Sequence, residues 1–202
     1  MSDQFIKLGI LISGDGSNLQ ALIDACDNHD FPAEIAVAIS NKKDAYGLKR
    51  AKDAGIATRV INHRDHDGRE GFDAELVKSL NEYGVDLVCL AGFMRILTPV
   101  FIQAFEGRIL NTHPSLLPKF GGEGMYGMHV HEAVIAAGET SSGCTIHHVI
   151  QDVDRGEIVL QKEVAVHADD TPQTLSQRVL EQEHTAYVHA VQHFAENILK
   201  RP

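Results

Sequence analysis

Residues 6–26 read IKLGILISGDGSNLQALIDAC, and the organisation of the chain follows from them. Ile6–Ser13 is a short apolar run that ends in Gly14-Asp15-Gly16-Ser17-Asn18, and from Leu19 onward Leu22, Ile23 and Cys26 recur at helical spacing. That pattern is strand, tight turn, helix. Ile35–Ile39 follows as a second buried strand, Ala45–Ala54 as a helix closed by Gly55, and Thr58–Ile61 as a third strand. Phe72–Tyr83 repeats the helical period through Leu76, Val77 and Leu80, with Gly84 as C-cap, and the almost wholly apolar Val85–Ala91 predicts a strand buried on both faces. Thr98–Phe105 predicts a short helix with Pro99 in its first turn, and Arg108–His113 a strand stopped by Pro114. Thr145–Ile150 and Ile158–Val166 predict an antiparallel hairpin about the turn Asp152–Gly156, and Thr171–Leu199 a long closing helix. The expected fold is α/β and three-layered: a Rossmann-like, mostly parallel sheet with a C-terminal antiparallel hairpin and a long C-terminal helix, as one domain over residues 1–202.

The 202 residues carry 18 Lys+Arg against 28 Asp+Glu, a formal net charge of −10. An acidic balance argues against a general nucleic-acid or anionic-membrane surface, since both partners need a basic face. At 44% hydrophobic and 23% charged the composition is that of a globular chain rather than a disordered or fibrous one. Cys26, Cys89 and Cys144 are odd in number and widely spaced, which suggests neither a disulfide framework nor a zinc ribbon and fits a reducing cytoplasm. The apolar start Phe5–Ile12 is too short for a membrane span and lacks a signal-peptide pattern.

Three motifs carry candidate chemistry. Gly14-x-Gly16-Ser17-Asn18 lies at a predicted helix N-terminus, where free N–H groups and the helix dipole attract an anion. Leu19 stands where a dinucleotide fingerprint needs its third glycine, so a single phosphate and an ordinary N-cap remain the two readings. Asn111-x-His113-Pro114 lies at a strand end, and period two puts the amide and the imidazole on one face, a minimal oxyanion-holding and acid–base pair. Asp152-Val-Asp154-Arg-Gly156 is by local sequence only a turn, and gains weight if a carboxylate faces His113, raising the imidazole pKa and orienting the ring. The twelve histidines include His129-x-His131, His147-His148 and His189-x-x-x-His193; the last lacks the Glu of a zinc-protease HExxH helix, residues two apart on a helix do not share a face, and no metal is expected. Phe120–Met128, with four glycines in nine residues, is the expected active-site loop.

With these motifs in order, the chain resembles the phosphoribosylglycinamide formyltransferases, folate-dependent transformylases of purine biosynthesis. The resemblance runs from Leu11–Gln20 through Leu90–Leu97, Asn111–Lys119 and Asp152–Gly156 to Gln182-Glu-His184. It implies that Gly16, Ser17, Asn18 and Leu19 line the phosphate site, with Gly16 allowing close approach, and that Leu180, Glu181, Gln182 and Glu183 close the ribosyl-glycinamide site. It also implies that Met94, Arg95, Ile96 and Leu97, with Asn111 and the turn Ile150, Gln151, Asp152 and Val153, hold the pteridine end of 10-formyltetrahydrofolate, and that Arg69 meets its glutamate tail. Asn111, His113 and Asp154 match the catalytic trio. The implied reaction is direct attack of the glycinamide amine on the formyl carbon, with the oxyanion on Asn111 and protonated His113, and Asp154 keeping His113 cationic. Arg69, Arg95, Arg108 and Lys119 would offset the two anionic small-molecule ligands. Hydrolysis of the same formyl-folate and a non-catalytic binding domain are the rival readings; monomer and homodimer are both open. Three departures stand out: the long glycine-rich loop, His148 where Phe is common, and Gln151 where an acidic residue is frequent.

Overall fold

The computed structural model describes residues 5–28 and 30–200. Seven strands, β1 (Ile6–Ile12), β2 (Ala33–Ser40), β3 (Thr58–Val60), β4 (Leu87–Leu90), β5 (Ile109–His113), β6 (Ser141–His148) and β7 (Ile158–Ala165), form one sheet in the order β3-β2-β1-β4-β5-β6-β7. β1 to β5 run parallel, and β6 is antiparallel to both β5 and β7. The helices are α1 (Ser17–Cys26), α2 (Tyr46–Asp53), α3 (Gly68–Glu82), α4 (Pro99–Ala104), α5 (Met128–Ala136) and α6 (Pro172–Leu199).

Both faces of the parallel sheet are covered, because the strands are apolar at odd and even positions alike. Leu8, Ile10 and Ile12 of β1 pack with Leu19 and Leu22 of α1, Val130 of α5 and Val179 and Tyr187 of α6 on one face. On the other face Leu11, Val37 and Val88 pack with Phe72 and Leu76 of α3 and Phe101 of α4. The mixed three-layer architecture agrees with the expectation. α6 opens on Thr171, whose side chain accepts from the Thr174 N–H while Thr174 reaches back, with Pro172 in the first turn.

Beyond shifts of one or two residues at element ends, three elements differ from the sequence expectation. α3 begins at Gly68 rather than Phe72, a turn earlier than its two glycines favour. β6 spans Ser141–His148 rather than Thr145–Ile150. Its early half carries Gly143, a poor strand former, yet a Cβ there would run into the Lys162 carbonyl of β7, so only glycine permits this pairing. α5 lies in a stretch for which no element is predicted, although Val130 and Val134, one helical turn apart, are both buried and left-handed Gly138 follows its end.

Tyr187 ties α6 to the sheet at the end that carries the site. Its hydroxyl, fully buried, lies 3.1 Å from the Leu90 carbonyl and 2.9 Å from the Leu110 carbonyl. Tyr187→Phe therefore leaves both oxygens without this donor and is expected to cost about 1–2 kcal/mol in chemical denaturation, with an unchanged slope against denaturant.

Candidate active site

β4 and β5 end at the same edge of the sheet, where a cleft of about 980 Å³ opens. Asn18, the loop Gly92–Leu97, Asn111, His113, the glycine-rich segment, Ile150–Asp154 and Leu180 and Glu183 all face it. The trio converges. Asn111 and His113 share a face of β5, and the turn before β7 brings Asp154 beside them, its Oδ2 3.4 Å from His113 Nδ1. Asp154 has a left-handed backbone (φ 56°), and its Oδ2 also accepts from the Gly122 N–H at 2.9 Å.

A fourth member, His147, escaped the motif reading because only the antiparallel register, Asn111 opposite His147, brings it in. Its Nδ1 lies 2.9 Å from the His148 carbonyl, which can only accept, so in the neutral ring the proton sits on Nδ1. In that tautomer Nε2 accepts from Asn111 Nδ2 at 3.2 Å, whereas a protonated ring would turn an Nε2–H to Asp154 Oδ1, 3.6 Å away. The bond from Asn111 orients the amide and leaves its second N–H available to the cleft.

His113 Nε2 lies 2.8 Å from the Phe120 carbonyl and must donate to it. Asp154 raises the His113 imidazole as expected, and only the net direction departs from the expectation. Burial pushes the imidazole below its ordinary value; Asp154 and the Phe120 carbonyl oppose that push without overcoming it, and His147 adds to it. Burial works on the Asp154 carboxyl too, but the facing His147 and His113 and the Gly122 N–H together hold it below the usual carboxylate range.

The Gly16 turn adopts the left-handed conformation (φ 75°), and α1 starts without a side-chain cap. The Gln20 N–H bonds the Gly16 carbonyl at 2.9 Å, so the preceding N–H groups of Ser17, Asn18 and Leu19 form the helix's open end. A Cβ on Gly16 would lie 2.7 Å from the Gly47 Cα of α2, so helix packing also requires glycine at this turn. Leu19 is a fully buried core residue and contributes only backbone here. Asn18 Nδ2 donates to Glu183 Oε2 at 2.8 Å, joining α1 to α6 across the cleft. Helical rotation from Leu180 and Glu183, which face the cleft, turns Glu181 to solvent and leaves Gln182 half-buried, so these two are not brought to the site.

On the opposite wall, Met94 and Ile96 are half exposed and Ile150 similarly so, an apolar surface open to a flat ring. The wall is pinned by groups that no motif announced. The Met94 N–H donates to Ser13 Oγ at 2.8 Å, Ser13 in turn donates to Asn41 Oδ1 at 2.6 Å, and the Thr98 N–H donates to buried Asp73 at 2.6 Å. Arg69 donates to the Ile96 carbonyl and lines an adjoining shallow depression with Gln151. Arg95 and Lys42 face the main cleft. Arg108 and Lys119 are engaged elsewhere, Arg108 with the Ala104 carbonyl and Lys119 with Glu139, so neither joins the site. Among the described residues no group of three or more His, Cys, Asp or Glu could hold a metal ion, and no helix is long and apolar enough to cross a membrane.

A three-layer α/β sheet with an amide, an imidazole and a carboxylate converging at its strand ends fits a group-transfer enzyme, and the comparisons agree. The formyl transferase family model matches residues 6–191, and the chain belongs to that family. It is 44% identical to the phosphoribosylglycinamide formyltransferase of Escherichia coli over 195 residues, covering 96% of this chain and 90% of that protein. It is 48% identical to a segment of the trifunctional purine biosynthetic protein adenosine-3 of Bos taurus, spanning 92% of this chain but only 18% of that protein. A glycinamide ribonucleotide transformylase from Symbiobacterium toebii superposes with a TM-score of 0.92 at 43% identity, covering 98% of this chain and 90% of the other. The corresponding values for the phosphoribosylglycinamide formyltransferase of Brucella melitensis are 0.88 and 44%, over 95% and 96%.

Burial raises the Glu183 carboxyl from 4.5 to about 7, against the opposing hydrogen bond from Asn18 and the pull of the nearby Thr112 hydroxyl. A raised folded-state pKa stabilises the fold fully below the unfolded value, and that stability is lost as pH rises through the folded value. The wild type is therefore expected to lose on the order of 3 kcal/mol relative to Glu183→Gln between pH 4.5 and about 7.5, read from paired denaturation curves. Parallel curves for the two proteins would contradict the assignment.

Proposed function

We propose that this chain, acting as a single catalytic unit, transfers the formyl group of 10-formyltetrahydrofolate to the amine of 5-phosphoribosylglycinamide, a step of purine biosynthesis. The observation that carries the reading is the placing of Asn111, His113 and Asp154 in one cleft between an apolar wall and an uncapped helix N-terminus. The Met94–Leu97 loop and the Ile150–Val153 turn would receive the pteridine of the formyl donor, with Arg69 toward its glutamate. The open end of α1 at Ser17, Asn18 and Leu19 would receive the phosphate, with Asn18, Leu180 and Glu183 against the ribosyl group.

The amine nitrogen attacks the formyl carbon, the carbonyl becomes an oxyanion, and the folate nitrogen leaves with a proton as the new amide forms. Asn111 is poised to donate its free N–H to that oxyanion. His113 donates only after its Nε2 exchanges the Phe120 carbonyl for the substrate oxygen. The left-handed backbone of Phe120 (φ 53°), unfavourable for a residue with a side chain, lowers the cost of moving that carbonyl. Asp154 then stabilises the imidazolium and orients the ring for passing the proton from amine to leaving group. No acyl-enzyme is required.

The test is deformylation of 10-formyltetrahydrofolate with and without phosphoribosylglycinamide. Release that depends on the ribonucleotide supports transfer, and equal release in both mixtures makes the protein a hydrolase. Asn111→Ala is expected to lower kcat about 10²–10³-fold, as an oxyanion donor should; a rise confined to KM would reduce Asn111 to a binding residue. Asp154→Asn, which leaves the core packing in place, is expected to lower kcat by about two orders of magnitude or more with little change in melting temperature, and wild-type turnover would remove Asp154 from the trio.

A further inference from the structure

His131 has no part in the chemistry above, yet it faces the same cleft. It sits in the first turn of α5, is 3% exposed, and its Nδ1 is buried without a hydrogen-bond partner. A buried polar atom left without a partner is costly and uncommon, so a histidine that served only to fill space here would be a poor choice over an apolar residue. We propose that His131 is a further binding residue of the acceptor substrate, donating a hydrogen bond from Nε2 to an oxygen of the phosphoribosyl compound.

The direction of the bond follows from the ring. A proton on Nδ1 would seal an N–H in the protein with no acceptor, whereas a proton on Nε2 leaves only a lone pair buried and presents the N–H to the cleft. Burial and the neighbouring His113 push the His131 pKa down, so the ring acts as a neutral donor rather than as a fixed cation. The choice of substrate follows from the layers. Val130 and Val134 of α5 pack in the core shared with α1 and α6, the helices that supply Asn18 and Glu183, while the donor-side wall belongs to the core of α3 and α4. His131 thus stands on the acceptor side of the sheet.

This inference rests on the acceptor being phosphoribosylglycinamide, so wild-type protein is assayed first; if its formyl release is independent of the ribonucleotide, the functional reading fails and this inference falls with it. With ribonucleotide-dependent release established, His131→Leu is expected to raise KM for phosphoribosylglycinamide about tenfold while KM for the formyl donor stays within about twofold. His131→Gln, which sets an amide N–H near the position of Nε2, should recover most of the loss, and neither variant should melt appreciably lower than wild type. Repeating the comparison with the unphosphorylated glycinamide riboside locates the oxygen: a penalty seen only with the ribonucleotide assigns it to the phosphate, an equal penalty to the ribosyl-glycinamide part. An unchanged acceptor KM in His131→Leu, or matched rises in both KM values with a lower melting temperature, would overturn the proposal in favour of a purely packing role.

Discussion

A carboxylate that is nine-tenths buried must be paired, and Asp154 meets that requirement by tying together four segments that the chain brings from far apart. Its two oxygens face His113 at the end of β5, His147 on β6 and the Gly122 N–H of the glycine-rich loop. The turn that carries it is constrained in its own right: Asp154 is left-handed, and a Cβ on Gly156 would strike the His148 carbonyl. The loop is shaped to the same carboxylate, because a Cβ on Gly121 would run into Leu117 and come within 3.3 Å of the Asp154 Cβ. A substitution at any of these glycines would therefore be felt at the imidazole, although none of them carries chemistry.

For the proposed reaction, the sheet would divide the two ligands as it divides the core. Successive residues of β5 point to opposite faces, so Asn111 and His113 lie toward the α3–α4 side and Thr112 toward α1 and α6, where Glu183 and Asn18 meet. Two ligands can approach the strand end from opposite layers and meet at its edge. The buried Ser13 hydroxyl couples the two halves mechanically: it ends the strand that leads into the Gly16 turn and accepts from the Met94 N–H of the facing wall. In a bimolecular transfer such coupling helps hold the reacting atoms in register.

How far the sequence reveals this depends on how local each signal is. The βαβ units are legible because period and turn chemistry act within a dozen residues, and Asn111 with His113 because a strand alternates. Asp154 is legible as a turn residue only; its role needs the hairpin to fold back on β5. His147 depends on cross-strand register, and α5 is nine residues of weak pattern after a glycine run, which hides His131. Arg108 and Lys119 look available by charge count but are occupied by the Ala104 carbonyl and Glu139, partners 4 and 20 positions away along the chain. The net direction of the His113 shift could not come from composition at all, since it is set by burial.

That direction changes how the imidazole would act. A carboxylate 3.4 Å away attracts a proton onto Nδ1, yet the loss of hydration outweighs it, so the resting ring is less readily charged than free histidine. An oxyanion forming beside the ring would supply a second negative charge inside the same poorly hydrated pocket, where charges interact more strongly than in water. The imidazolium would then be favoured as the intermediate forms rather than before substrate arrives. A histidine held below its ordinary pKa discriminates between ground state and intermediate in a way that a permanently charged one does not, and stabilisation confined to the intermediate is what raises kcat.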